Sequence, residues 1–177
     1  MISNLFSIPL FHCPVNNWND KKNDLLNKMD HSKFGYYNNN DFLTDRCKTK
    51  SNYIVDFENI FSEELNQFKK EIGANEVRVK DVWTVKYVKP SHNHCPHNHS
   101  GSGYSGALYL EYDPNVHSSL KFISPWNNPI TDKTQLCEIE SVGEGIILIW
   151  PSFLLHYVDA IMTDKLRMVT SWDMEVK

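Results

Sequence analysis

Val82-Trp-Thr-Val-Lys-Tyr-Val88 is a run of β-branched and aromatic residues, and it marks where the periodicity of the chain changes from helical to extended. From Val77 onward the pattern has a period of two. Further strands are predicted at Ser105–Tyr112, Leu120–Ile123, Leu136–Val142, Ile146–Trp150, His156–Ala160 and Leu166–Val176, separated by Gly, Pro, Asn and Asp turn clusters. Upstream, Phe61, Leu65, Phe68 and Ile72 are spaced four, three and four apart, one stripe of a helix over Ser62–Ile72. Glu63 and Glu64 suit its first turn, Lys69 and Lys70 its last, and Gly73 stops it. Asp20 is placed to cap an earlier helix reaching Met29, with Leu25, Leu26 and Met29 as its apolar side. Residues 31–50, polar and rich in Asn and Asp, are expected to form a long loop. Helices followed by many short strands predict a mainly β protein, an antiparallel barrel or double-sheet jelly roll with N-terminal helices.

At 177 residues the chain is most simply one domain over 1–177: helical support at about 16–75, then a β core at about 77–176. A 41% hydrophobic and 12% aromatic content is that of a folded protein. Net charge of −4 and a pI near 6.0 argue against a general attraction to nucleic acid. No apolar stretch reaches the ~20 residues that span a bilayer. The longest, Gly145-Ile-Ile-Leu-Ile-Trp150, is strand length, and the first residues lack the flank of a signal peptide. Cys13, Cys47, Cys95 and Cys137 form no CxxC pair, so a reducing cytoplasm is expected. There is no internal repeat and no phosphate-binding glycine motif.

Four of the eight histidines fall within His92-Asn-His-Cys-Pro-His-Asn-His99, a fifth closes Pro151-Ser-Phe-Leu-Leu-His156, and Arg167 follows. On an extended strand His97 and His99, two apart, face the same way. With a distant third they give a metal three ligands and leave positions open. The bland readings are an exposed His-rich loop, a hydrogen-bonded core histidine at His156 and a solvated Arg167. Taken together the set suits iron(II) chelated by a 2-oxo acid, whose far carboxylate needs a cation that binds it in bidentate fashion. Tyr109 could add a hydroxyl to that carboxylate. His92, His94 and Cys95 read as an exposed approach loop, with a second metal site as the sharper alternative. Trp83, Trp126, Trp150 and Trp172 read as core or pocket wall.

In order along the chain, Pro96-His-Asn-His-Ser-Gly101, Tyr104-Ser-Gly-Ala-Leu-Tyr-Leu110, Phe122-Ile-Ser-Pro125, Gly143–Gly145, Trp150-Pro-Ser-Phe-Leu-Leu-His-Tyr-Val158 and Arg167 resemble the 2-oxoglutarate- and iron(II)-dependent oxygenases. More narrowly they are similar to a small branch in marine bacteria and tailed phages, which Leu5-Phe-Ser-Ile-Pro-Leu10 also resembles at its N-terminal strand. The resemblance implies a double-stranded β-helix with His97, His99 and His156 as iron ligands and Arg167 anchoring 2-oxoglutarate. The wider superfamily has His-x-Asp or His-x-Glu where this chain has His99, and many relatives carry Ser or Thr where it has Val169. In the alternative arrangement His99 backs the site and Asp113, Glu111 or a water supplies an oxygen ligand.

The leading expectation is a dioxygenase coupling 2-oxoglutarate decarboxylation to hydroxylation of an unknown small molecule or protein side chain. A three-histidine cupin-like enzyme indifferent to 2-oxoglutarate and a non-catalytic metal-binding jelly roll are the alternatives. Specificity is expected in residues 31–50 and 124–135, and exposed edge strands admit a homodimer.

Overall fold

The computed structural model describes residues 7–38, 41–46, 52–99, 101 and 103–177. In chain order the elements are β1 (Phe11–Pro14), α1 (Trp18–Lys28), a short 3-10 turn (His31–Lys33), β2 (Gly35–Tyr37), β3 (Phe42–Thr44), α2 (Ile54–Ile60), α3 (Ser62–Glu71), β4 (Val77–Tyr87), β5 (His94–His97), β6 (Tyr104–Glu111), β7 (Lys121–Asn127), β8 (Thr134–Glu138), β9 (Ile146–Pro151), β10 (His156–Val158) and β11 (Arg167–Val176). A seven-stranded sheet in the order β1-β9-β6-β11-β4-β3-β2 faces a four-stranded sheet in the order β5-β10-β7-β8. Every pairing among the described residues is antiparallel, the arrangement of a double-stranded β-helix.

Strand β11 shows how the alternating pattern builds two cores. Met168, Trp172 and Met174 point outward into a cluster with Leu25, Phe57 and Phe68 of the three helices and Phe61 between the last two. Val169 points inward, with Trp83, Tyr87, Tyr109 and Trp150, into the space between the sheets. Thr170 faces the helices too, and its hydroxyl meets Thr84 Oγ1 at 2.8 Å, a buried pair extended through Tyr53 to Asp45. Register across β4, β11 and β6 places Val85, Val169 and Tyr109 in one row, and Asp81, Asp173 and Ser105 in another. The inner faces of these strands floor the candidate site.

Several expectations need correction. Helix α1 starts at Trp18 behind Asn17, which adopts the left-handed conformation (φ 53°) that asparagine tolerates; Asp20 sits in the first turn instead. Trp18 packs over Gly145 (φ +75°), where a Cβ would lie 2.8 Å from the indole. Within residues 31–50, β2 and β3 form a hairpin on the edge of the large sheet, with Leu43 opposite Lys86. Three-residue strands are too short to show a period, so the polar composition suggested a loop; residues 39–40 and 47–50 of that span lie outside the described residues. Helix α2 was likewise missed, because it is seven residues long and breaks at Phe61. Of the four tryptophans read as core or pocket wall, Trp83, Trp150 and Trp172 are buried, and Trp126 is half exposed on the small sheet, where it walls an apolar groove. The strand expected at Leu136–Val142 is Thr134–Glu138, an exposed edge. Leu5, Phe6, Cys47 and Ser100 lie outside the described residues; Cys13, Cys95 and Cys137 are free thiols. No helix among the described residues is long and apolar enough to cross a membrane.

Candidate metal centre

Strands β5 and β10 pair so that His97 and His156 are direct cross-strand partners, which brings their ring centroids to 4.3 Å. The chain then leaves β5, and the His99 N–H donates to the Ser152 carbonyl at 2.9 Å. That tether sets the His99 ring 5.2 Å from His97 and 5.1 Å from His156. One nitrogen from each imidazole lies within 4.8 Å of the others, and among the described residues this is the one such cluster of His, Cys or acidic side chains.

The hydrogen bonds assign the tautomers. Nδ1 of His97 faces the Cys95 carbonyl (2.8 Å), Nδ1 of His156 faces the Leu154 carbonyl (2.9 Å), and Nδ1 of His99 faces the Asp173 carboxylate (2.6 Å). These partners are acceptors, so each Nδ1 carries a proton and Nε2 is the nitrogen left to face a metal. Burial, reinforced by the charge of the neighbouring imidazoles, pushes His156 down to about 3; burial also lowers His97. Both rings are therefore neutral near pH 7, the form that binds a metal.

Asp173 is the residue that sequence reasoning missed. Its signal was present: Arg167, Val169, Ser171 and Asp173 form the odd-numbered face of β11, opposite the apolar one. Ser105 Oγ also donates to Asp173 Oδ1 at 2.8 Å. Burial works against ionisation of Asp173, yet the bonds from His99 and Ser105 hold its carboxyl below the usual range. Asp113 and Glu111 are not among the ligand atoms gathered at the cluster; they pair instead with Lys165 (2.6 Å) and Lys22 (2.7 Å).

Arg167 is buried rather than solvated, at 2% exposure. It opens onto the same cavity as the three histidines, with Tyr87, Tyr109, Leu120, Trp150 and Val169 as further walls. Its guanidinium lies 4.7 Å over the Tyr87 ring and 5.5 Å from that of Tyr109. Among the described residues no carboxylate pairs with it, and its Nε has no hydrogen-bond partner. Burial pushes the Tyr87 and Tyr109 phenols up, against the pull of the Arg167 charge. The Tyr109 hydroxyl accepts from the Leu120 N–H (3.1 Å) and keeps its own proton to donate.

The other histidines of the motif have separate tasks. His92 is fully buried, not part of an exposed loop, and its Nδ1 accepts from the Val88 N–H at 3.2 Å. His94 stacks on His97 at 4.0 Å and leans on Phe42 at 4.4 Å. Cys95 is exposed and serves the site through its carbonyl rather than its thiol. In front of the cluster lies a cleft of about 450 Å³, walled by Tyr37, Phe42, Arg46, Trp83 and Asn98. The β2–β3 hairpin, within residues 31–50, thus contributes Tyr37 and Phe42 to its walls. Residues 124–126 line a different, apolar groove with Leu10 and Leu136.

A model of the 2OG-Fe(II) oxygenase family matches residues 81–173, just over half of the chain. Among solved structures, the chain is similar to the non-haem α-ketoglutarate-dependent epimerase SnoN of nogalamycin biosynthesis, with 11% identity and a TM-score of 0.67 over 94% of this chain and 78% of that one. HygX from Streptomyces hygroscopicus, with nickel, 2-oxoglutarate and hygromycin B bound, matches at 10% identity and a TM-score of 0.63, covering 94% and 82%. An oxidoreductase of the 2OG-Fe(II) oxygenase family from Burkholderia pseudomallei matches at 11% and 0.53, covering 68% of this chain and 55% of that one. At these identities the structural likeness is one of fold. Comparison with curated proteins finds no match.

Proposed function

The chain belongs to the 2OG-Fe(II) oxygenase family, and on that premise we propose that His97, His99 and His156 hold its iron(II) and that Arg167 binds the far carboxylate of 2-oxoglutarate. The observation that carries this reading is Arg167. A buried guanidinium with no acidic partner among the described residues is costly unless an anion joins it, and it shares its cavity with three imidazoles whose Nε2 atoms converge. The residues present therefore fit both groups. A cupin-like enzyme without a 2-oxo acid, or a purely structural metal site, leaves that charge unexplained.

When bound, iron(II) and 2-oxoglutarate supply the oxidising chemistry, in which oxygen is consumed, 2-oxoglutarate becomes succinate and carbon dioxide, and one oxygen atom goes to a substrate C–H bond. The chain's own part is orientation and exclusion of water. The carbonyls of Cys95 and Leu154 and the carboxylate of Asp173 fix which nitrogen each histidine presents. Arg167 offers paired N–H donors, Tyr109 a hydroxyl beside them, and Leu120, Trp150 and Val169 keep the space between dry. The cleft at Tyr37, Phe42, Arg46 and Trp83 receives the substrate, a small molecule or a protein side chain.

We take residues 1–177 as one domain, a reading supported by the core that the three helices share with the large sheet. A cytoplasmic setting, a net charge that disfavours nucleic acid and a homodimer through an exposed edge such as β8 complete the proposal.

Anaerobic titration with iron(II) and then 2-oxoglutarate tests it. A weak visible charge-transfer band should appear only with both and vanish in His156→Ala. Arg167→Ala should weaken 2-oxoglutarate by on the order of 100-fold, the loss of a bidentate charged contact, with metal affinity changed only a few-fold. Loss of metal and 2-oxoglutarate together in Arg167→Ala would refute its assignment.

A further inference from the structure

Three neutral imidazoles leave the full positive charge of a divalent metal uncompensated, whereas two histidines and a carboxylate bring one negative charge to it. We propose that Asp173 supplies the missing charge from one imidazole further out, by accepting the Nδ1 proton of His99 and holding that ring with Nε2 toward the metal. This rests on the reading that His97, His99 and His156 hold the iron.

The three rings are not held alike. His97 and His156 donate to carbonyls two residues before them, Cys95 and Leu154, which are neutral and local. His99 donates at 2.6 Å to a carboxylate 74 residues away in sequence. A charge-assisted bond of this kind is the stronger type, and it raises the electron-donating power of the opposite ring nitrogen. Among the described residues His99 is the only ion-pair partner of Asp173.

The carboxylate is itself braced. Asp173 stands directly opposite Ser105 in the β11–β6 ladder. Ser105 Oγ donates to Asp173 Oδ1 at 2.8 Å and meets Ser152 Oγ at 2.7 Å, while the Ser152 carbonyl takes the His99 N–H at 2.9 Å. His99 lies two residues past the end of a four-residue strand, so the large sheet gives its ring a rigidity that β5 does not. Asp173 is thus a positioning residue for the metal centre.

The test is anaerobic titration of the metal-free protein with cobalt(II) alone. Asp173→Asn should weaken cobalt binding roughly 10–100-fold and shift its visible spectrum, with the melting temperature of the metal-free protein close to wild type. Cobalt affinity and spectrum unchanged in Asp173→Asn overturn the inference and leave the three-histidine reading standing; a role limited to anchoring the chain would give that result. Wild-type protein whose cobalt binding is absent, or indifferent to His156→Ala, overturns both. If Asp173→Asn does not fold, zinc-loaded wild-type protein labelled with 15N-histidine decides the matter. A slowly exchanging, strongly downfield Nδ1 proton on His99 supports the inference, and metal on Nδ1 or a freely exchanging proton there overturns it.

Discussion

Gly106 is where one missing atom sets the spacing of the large sheet. It pairs with Trp172 across the β6–β11 ladder, and the indole lies flat over it, so that a Cβ would fall 2.2 Å from two ring carbons. Trp172 cannot yield outward, because it is fully buried and its ring sits 4.9 Å from Phe57 of α2. Gly106→Ala should therefore destabilise the protein by about 1–3 kcal/mol, the usual cost of overpacking, seen as a lower urea midpoint with an unchanged slope. A loss below ~0.5 kcal/mol would mean that the indole has room to move. The adjacent residue on β11 is Asp173, so the same variant should also bind metal less tightly.

At the scale of elements, two loops are closed by the same device. His92 Nδ1 accepts from the N–H of Val88 and His117 Nδ1 from that of Asp113, in each case four residues earlier. His117 Nε2 then donates to the Lys165 carbonyl at 3.0 Å, tying the turn after β6 to the start of β11 and Arg167. Burial lowers the pKa of both rings; for His117 the Lys165 carbonyl and Asp113 oppose the shift, while Arg167 and Lys165 add to it. A folded pKa below the ordinary 6.5 means that the unfolded chain takes up the proton first. Stability from these groups is complete above pH 6.5 and declines as pH falls toward the folded value, by at most ~1.4 kcal/mol per pH unit for each ring. The urea midpoint of the metal-free protein should drop between pH 7.5 and 5.5. The gap between wild type and His117→Gln should narrow over that range, and a constant gap would disprove the role given to His117.

For the whole molecule, the site draws on both sheets. The small sheet carries His97 and His156, and the large sheet carries Arg167 and Asp173. Metal and 2-oxoglutarate together would then link the two layers and stabilise the folded state by mass action. Cobalt(II) at about 100 times its dissociation constant should add about 2.7 kcal/mol, a rise of about 5–10 °C in melting temperature for a chain of this size. Addition of 2-oxoglutarate should raise it further in wild type and not in Arg167→Ala, as read by differential scanning calorimetry. A cobalt-induced rise that persists in His156→Ala would place the metal elsewhere.

The amino-acid sequence alone determined the elements whose period is long enough to count: α3, β4, β9 and both faces of β11. The i, i+2 spacing of His97 and His99, the apolar run ending at His156 and the ordered motifs made the candidate triad and Arg167 legible as well. These signals are local, because contiguous side chains report which face of a helix or strand is buried. Tertiary structure alone decided that β2 and β3 extend the large sheet, that Trp126 is exposed, which imidazole nitrogens face inward, and that His99 meets Asp173. Those depend on register between strands far apart in the chain, and register arises from the packing of two sheets, which no short pattern of residues carries.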